Sequence, residues 1–87
     1  ITDFAFSPDE KLLAFKVNEA GADSIRIFEV GGTEIKKELA KPQIEPGVID
    51  KLSWRNNEEI GFGFESLKIP SEIRSYNVKK GALQVWG

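Results

Sequence analysis

The 87 residues carry 12 Lys and Arg against 14 Asp and Glu, with no Cys and no His. A chain this short buries only about 60% of its unfolded surface, and it can call on neither a disulfide framework nor the common zinc sites. A net charge of −2 gives no electrostatic footprint for nucleic acid, and no apolar run nears the ~20 residues that span a bilayer. Neither nucleic acid nor a membrane is expected as a partner, and no cofactor site is expected.

Hydrophobic residues alternate with a period of two almost throughout, and turn chemistry interrupts them at short intervals. The first strand is predicted over Thr2 to Phe6, ended by Ser7-Pro8-Asp9-Glu10, where Pro presets φ and Ser and Asp can bond the turn backbone. Leu12 to Asn18 follows, with Leu13, Phe15 and Val17 on one face and Ala14, Lys16 and Asn18 on the other. Gly21-Ala22-Asp23-Ser24 is predicted to turn the chain into Ile25 to Val30. Gly31-Gly32 is a hairpin signal leading into a charged strand around Glu34 to Leu39, suited to an outer edge.

Lys41 to Asp50, with Pro42, Pro46 and Gly47, reads as a linker. The pattern then starts again. Leu52 to Trp54 is a strand, Arg55-Asn56-Asn57-Glu58 a turn, and Ile60 to Glu65 a strand. A loop runs through Pro70, then Ile73 to Val78, a Lys80-Gly81 turn, and Leu83 to Trp86. Lys36-Lys37 and Lys79-Lys80 are isolated basic pairs at strand ends or turns.

The restart is a repeat. Trp54 follows Phe6 by 48 positions, and at that offset Ile25-Arg26-Ile27-Phe28-Glu29-Val30 lies over Ile73-Arg74-Ser75-Tyr76-Asn77-Val78. At an offset of 47, Leu13, Phe15 and Val17 lie over Ile60, Phe62 and Phe64. The alternative is two unrelated meanders that look alike because β-proteins share hairpin spacing. Four antiparallel strands in a repeat of roughly 40–50 residues are the mark of a β-propeller blade. The fold class expected is therefore all-β: about two four-stranded antiparallel β-propeller blades, part of a larger propeller. Residues 1–40 form the first blade, 41–50 the linker and 51–87 the second blade. Gly61 and Gly63 share a face and would let an adjacent sheet approach closely, or else mark a bulge.

Two blades cannot close a ring of the usual four to eight. Together with a chain that begins at Ile1 rather than Met, this leads us to expect a fragment. Bare blade faces would otherwise need self-association to cover them.

Phe6-Ser7-Pro8-Asp9-Glu10-Lys11-Leu12-Leu13-Ala14-Phe15 resembles the phrase that opens blades in the prolyl oligopeptidase family of serine peptidases. Gly usually stands there in place of Glu10. The segment from Phe64 to Val78 is similar to one near the end of that family's propeller: an aromatic strand, Ser66, Pro70 four residues on, then a strand carrying Tyr76. Ile25 to Gly32 resembles the strand and turn one blade earlier. The family often has Phe or Thr around Leu67 and Ile69, and Asp in place of Asn77. The resemblance covers nearly the whole chain, and its motifs are structural. It implies a propeller that gates a Ser-His-Asp site on a separate hydrolase domain and admits short peptides. The partners it implies are the remaining blades and that hydrolase domain, with peptide substrate bound only through the parent protein.

No catalytic, cofactor-binding or metal-ligating residue is assigned within these residues. A triad needs a His, and its nucleophile usually sits in Gly-x-Ser-x-Gly; the sequence has neither. Glu58-Glu59 could be a carboxylate pair but reads as a solvated turn. Asp3, Asp9 and Asp23 lack the dense spacing of a calcium loop, and Gly31-Gly32 opens no helix that could hold phosphate. Glu65 and Arg74 could line a channel mouth or form a cross-strand ion pair. Trp54, Tyr76 and Trp86 could form an aromatic binding face, but the repeat position of Trp54 argues for core packing. A stand-alone propeller that binds a protein or peptide is the competing functional expectation.

Overall fold

The computed structural model describes residues 3–86. Thr2, the expected start of the first strand, lies outside the described residues, as do Ile1 and Gly87. The described chain is all-β, with eight strands and no helix. They are β1 (Asp3–Phe6), β2 (Leu12–Glu19), β3 (Ala22–Gly31), β4 (Glu34–Glu38), β5 (Val48–Trp54), β6 (Glu59–Glu65), β7 (Glu72–Asn77) and β8 (Ala82–Trp86). They form two four-stranded antiparallel sheets, ordered β1-β2-β3-β4 and β5-β6-β7-β8.

The turns follow from local chemistry. Ser7 Oγ donates to Asp9 Oδ1 at 2.6 Å and accepts the Leu12 N–H at 3.0 Å, which closes the β1–β2 turn. Glu10 at its apex has φ of 60°, the left-handed region that favours Gly. The β2–β3 hairpin is tighter than expected. Ala20 and Gly21, both at positive φ, make the turn, so Ala22 to Ser24 already belong to β3. In the second sheet Asn56 Oδ1 accepts the N–H groups of Glu58 and Glu59, each at 2.9 Å.

β5 opens at Val48, four residues before the expected Leu52. A bulge between Asp50 and Ser53, with Lys51 at φ 56°, breaks the period-two alternation that would have announced the strand. Val48, Ile49 and Asp50 are thus strand residues rather than linker.

Each sheet has two faces, fixed by register. In the first sheet Phe4 lies opposite Phe15 and Phe15 opposite Arg26, while Phe6, Leu13 and Phe28 line up in the next row. We term this the front. Ala5, Ala14 and Ile27 align on the other side, the back. In the second sheet the repeat-equivalent front carries Trp54, Ile60, Phe62, Phe64, Arg74 and Tyr76. Its back carries Ser53, Gly61, Gly63, Ile73 and Ser75.

The core forms between the back of the first sheet and the front of the second. Ala14, Ile25 and Ile27 are buried against Ile49, Ile60, Phe62, Phe64 and Tyr76. Small and branched side chains on one side receive large aromatic ones on the other, as dense packing requires. β5 is the strand of the second sheet that lies against the first, its Cα atoms coming within 8 Å of β1, β2 and β3. β4, with every residue exposed, is an outer edge rich in charge.

Candidate functional site

The junction between the sheets is held by polar contacts at both ends of β5. At one end the Trp54 indole N–H donates to Ala5 O at 2.9 Å. At the other, Asp23 N–H donates to Gly47 O at 3.0 Å, and the Asp23 carboxylate accepts the Ile49 N–H at 2.9 Å. Burial pushes the Asp23 carboxyl up, but hydrogen bonds from Asn18 and Ile49, with Lys16 nearby, outweigh it and hold the group below its ordinary value. Asp9 N–H reaches Asn57 Oδ1 at 3.0 Å and links the equivalent turns of the two units.

Arg74 is the most deeply placed charge, 4% exposed on the front of the second sheet. Its guanidinium lies 4.1 Å from the centre of the Phe64 ring. Glu45 accepts two of its N–H groups at 2.7 and 2.9 Å, and Glu72 accepts a third at 2.5 Å. Hydrogen bonding to Arg74 holds the Glu45 carboxyl at about 2. The Arg74 guanidinium is in turn held more firmly protonated, first by the bond to Glu45.

The expected Arg74–Glu65 ion pair is therefore corrected. Arg74 lies opposite Phe62, on the same face as Phe64, so Glu65, the next residue along, points to the other face. The true partner comes from the segment between the sheets. Tyr76 is fixed by that segment too, donating to Ala40 O at 3.2 Å.

The other candidates are also dispersed. Glu58 lies 3.6 Å from Lys79, whereas Glu59 accepts the Ser75 hydroxyl at 2.9 Å and lies 3.5 Å from Arg55. The two carboxylates thus serve separate partners. Asp3, Asp9 and Asp23 do not converge, and among the described residues no group of His, Cys, Asp and Glu could hold a metal ion. Trp54 and Tyr76 lie on the front of the second sheet, but Trp86 pairs with Ile73 on the back. The three aromatics do not share a face.

Trp86 donates its indole N–H to Ser75 Oγ at 2.7 Å, and Arg55 lies 4.5 Å from the centre of its ring. Near them is a shallow hollow of about 220 Å³ lined by Ser53, Arg55, Gly61, Gly63 and Ile73, in which both glycines are buried, Gly61 under the Arg55 stem and Gly63 under the Asp50 side chain. It is smaller than the ~300–1,000 Å³ of ordinary ligand sites. Gly63 leaves room for the side chain of Asp50 on the neighbouring strand, which a Cβ would strike. An open cleft of about 880 Å³ lies where Asp9, Glu10, Glu29, Lys11, Lys36 and Lys79 meet. Its acids and bases balance, and no nucleophile with a base stands in it.

The front of the first sheet is partly open, at its β1 edge. Phe4 is 61% exposed and Phe6 50%, with their rings edge-on at 6.3 Å. Beside them Phe15 and Phe28 stack at 5.3 Å, with Arg26 over both rings and held by Glu38 through bonds of 2.8 and 2.7 Å. The sequence pointed to bare faces but not to which one would be bare.

Comparison with protein-family models, with curated proteins and with solved structures finds no match to this chain.

Proposed function

We propose that the two sheets are consecutive β-propeller blades and that the chain is a non-catalytic gating segment of a prolyl-oligopeptidase-like serine peptidase acting on short peptides. The observation that carries the blade reading is the front-to-back packing of two repeat units. In a sandwich of two like units related by a two-fold axis, equivalent faces meet. Here unlike faces meet, so every added unit leaves one front and one back free. The first strands of the two sheets lie against each other, as inner strands do around a central channel.

The peptidase reading rests on the resemblance of the Phe6–Phe15 and Phe64–Val78 phrases. The Ser66 phrase is a turn: Ser66 Oγ accepts the N–H groups of Lys68 and Ile69 at 3.3 and 3.1 Å. Such residues shape a scaffold and do no chemistry, in keeping with a gating role.

Hydrolysis assays separate the possibilities. The protein encoded by the whole reading frame is expected to cleave short peptides, to spare folded proteins and to be inactivated by a serine-directed fluorophosphonate. The 87-residue chain alone is expected to cleave nothing. Cleavage by the chain alone, or a whole protein with no nucleophile, would overturn the reading. The second result would leave a binding propeller.

A further inference from the structure

We infer that two copies of the protein pair edge to edge through β8, antiparallel about a two-fold axis at Gln84, and so join their second sheets into one continuous sheet. The inference rests on strand order and composition and not on the peptidase parentage. β4 and β8 end the strand orders of their sheets, so each has one side of its backbone unpaired. Such a row of N–H and C=O groups is a template for another strand unless charges or a bulge guard it. β4 is guarded twice: Glu34, Lys36, Lys37 and Glu38 leave Ile35 as its one uncharged residue, and its register with β3 is broken at Glu29 and Val30. β8 runs Ala82-Leu83-Gln84-Val85-Trp86, with no charge and no Pro, in unbroken register with β7.

The first sheet shows what a following unit does to such an edge. The second unit packs on its back, with β5 against β1, β2 and β3, and every residue of β4 stays exposed. A unit that follows β8 in the same manner covers the back of the second sheet and leaves the outer edge of β8 open. The pairing uses that edge alone, and both faces of each sheet stay available to neighbouring repeats.

A second copy fits this edge by its own composition. Leu83 and Val85 lie on the front, opposite Tyr76 and Arg74, while Ala82, Gln84 and Trp86 lie on the back. Antiparallel pairing about Gln84 sets Leu83 against the partner's Val85 on one face. On the other it sets Ala82 against the partner's Trp86, and Gln84 against its own counterpart. Cross-strand apolar pairs stabilise a sheet, and like charges directly opposite destabilise it. The same arrangement about Lys36 of β4 would oppose lysine to lysine and Glu34 to the partner's Glu38. Composition therefore selects β8 over β4.

A two-fold contact is closed, so assembly through β8 stops at the dimer. A pair of five-residue strands is small beside the interfaces of stable complexes, so the dimer exchanges with monomer and is best read by a covalent trap.

The test is disulfide trapping in the protein encoded by the whole reading frame. Directly opposed residues of an antiparallel pair have Cα atoms about 4.5–5.5 Å apart, within disulfide reach. Gln84→Cys is compared under mild oxidation with Lys36→Cys, the middle of β4, and with Gln84→Cys carrying Val85→Lys or Leu83→Lys. All four positions are exposed, so the circular dichroism spectrum should not change. Gln84→Cys is expected to form a covalent dimer about tenfold faster than Lys36→Cys, and either added lysine should slow it by about tenfold. Equal rates from Gln84→Cys and Lys36→Cys would overturn the inference, since random collision would explain both. So would a Gln84→Cys dimer whose rate neither lysine changes. The hydrolysis assays decide the peptidase reading separately, and neither trapping result bears on it.

Discussion

Trp54 Nε1 and Ala5 O, 2.9 Å apart, join the second sheet to the first strand of the first sheet. The ring is only half-buried, so its hydrophobic share is retained by Phe, whereas the hydrogen bond is not. Trp54→Phe is therefore expected to destabilise the chain by about 1 kcal/mol, the usual net contribution of one such bond. Urea titration should show a lower midpoint with an unchanged slope. An unchanged midpoint would mean that the bond contributes nothing to holding the sheets together.

Glu10 and Ala20 hold φ of 60° and 53°, where a Cβ is strained. Glu10→Gly removes the strain at the β1–β2 turn and restores the residue usual in the phrase it resembles. Ala20→Asn creates Asn-Gly, the preferred pair for a two-residue hairpin. Each is expected to stabilise by up to about 1 kcal/mol, raising the melting temperature by about 4–8 °C per kcal/mol in a domain of this size. Thermal denaturation measures both.

The Glu45–Arg74 contact makes stability depend on acid pH. The Glu45 carboxyl is lowered from 4.5 to about 2 by its bonds to Arg74. Between those values the unfolded chain binds the proton and the folded chain does not, so stability rises with pH across that window. It is fully present above about 4.5 and is lost as pH falls through about 2. Glu45→Gln should flatten this part of the profile, read as urea midpoints between those two pH values.

Two glycines should respond differently to Ala. At Gly47 a Cβ would lie 2.6 Å from Glu65 O and 2.6 Å from the Phe64 ring, neither of which can give way easily. Gly47→Ala is expected to cost about 1–3 kcal/mol through overpacking. At Gly63 the obstacle is the end of the exposed Asp50 side chain, which can swing into solvent. Gly63→Ala should change stability by no more than about 0.5 kcal/mol. Equal costs at the two sites would contradict the packing described.

Most strands were legible because alternation and turn residues agree. Ser7-Pro8-Asp9 and Asn56 mark their turns, and the Phe6–Trp54 offset reveals the repeat. β5 was foreshortened because the bulge at Lys51 interrupts the alternation on which strand recognition depends. Alternation also separates Leu13, Phe15 and Val17 from Ala14, but it does not say which side meets the second sheet. The side that meets the second sheet is that of Ala14, while Phe15 is covered by its own sheet's Phe28 and Arg26. The partner of Arg74 was illegible for a different reason: Glu45 lies 29 residues away across a segment with no regular spacing. Glu65, near in sequence, lies on the wrong face.

The most direct test of the peptidase-propeller account is the DNA sequence on both sides of these 87 codons. The account predicts a continuous frame with further four-strand repeats of this spacing, together with Gly-x-Ser-x-Gly followed by an Asp and a His. A frame with further repeats but no nucleophile motif on either side would contradict the peptidase role. A frame with neither repeats nor motif would contradict the propeller parent as well.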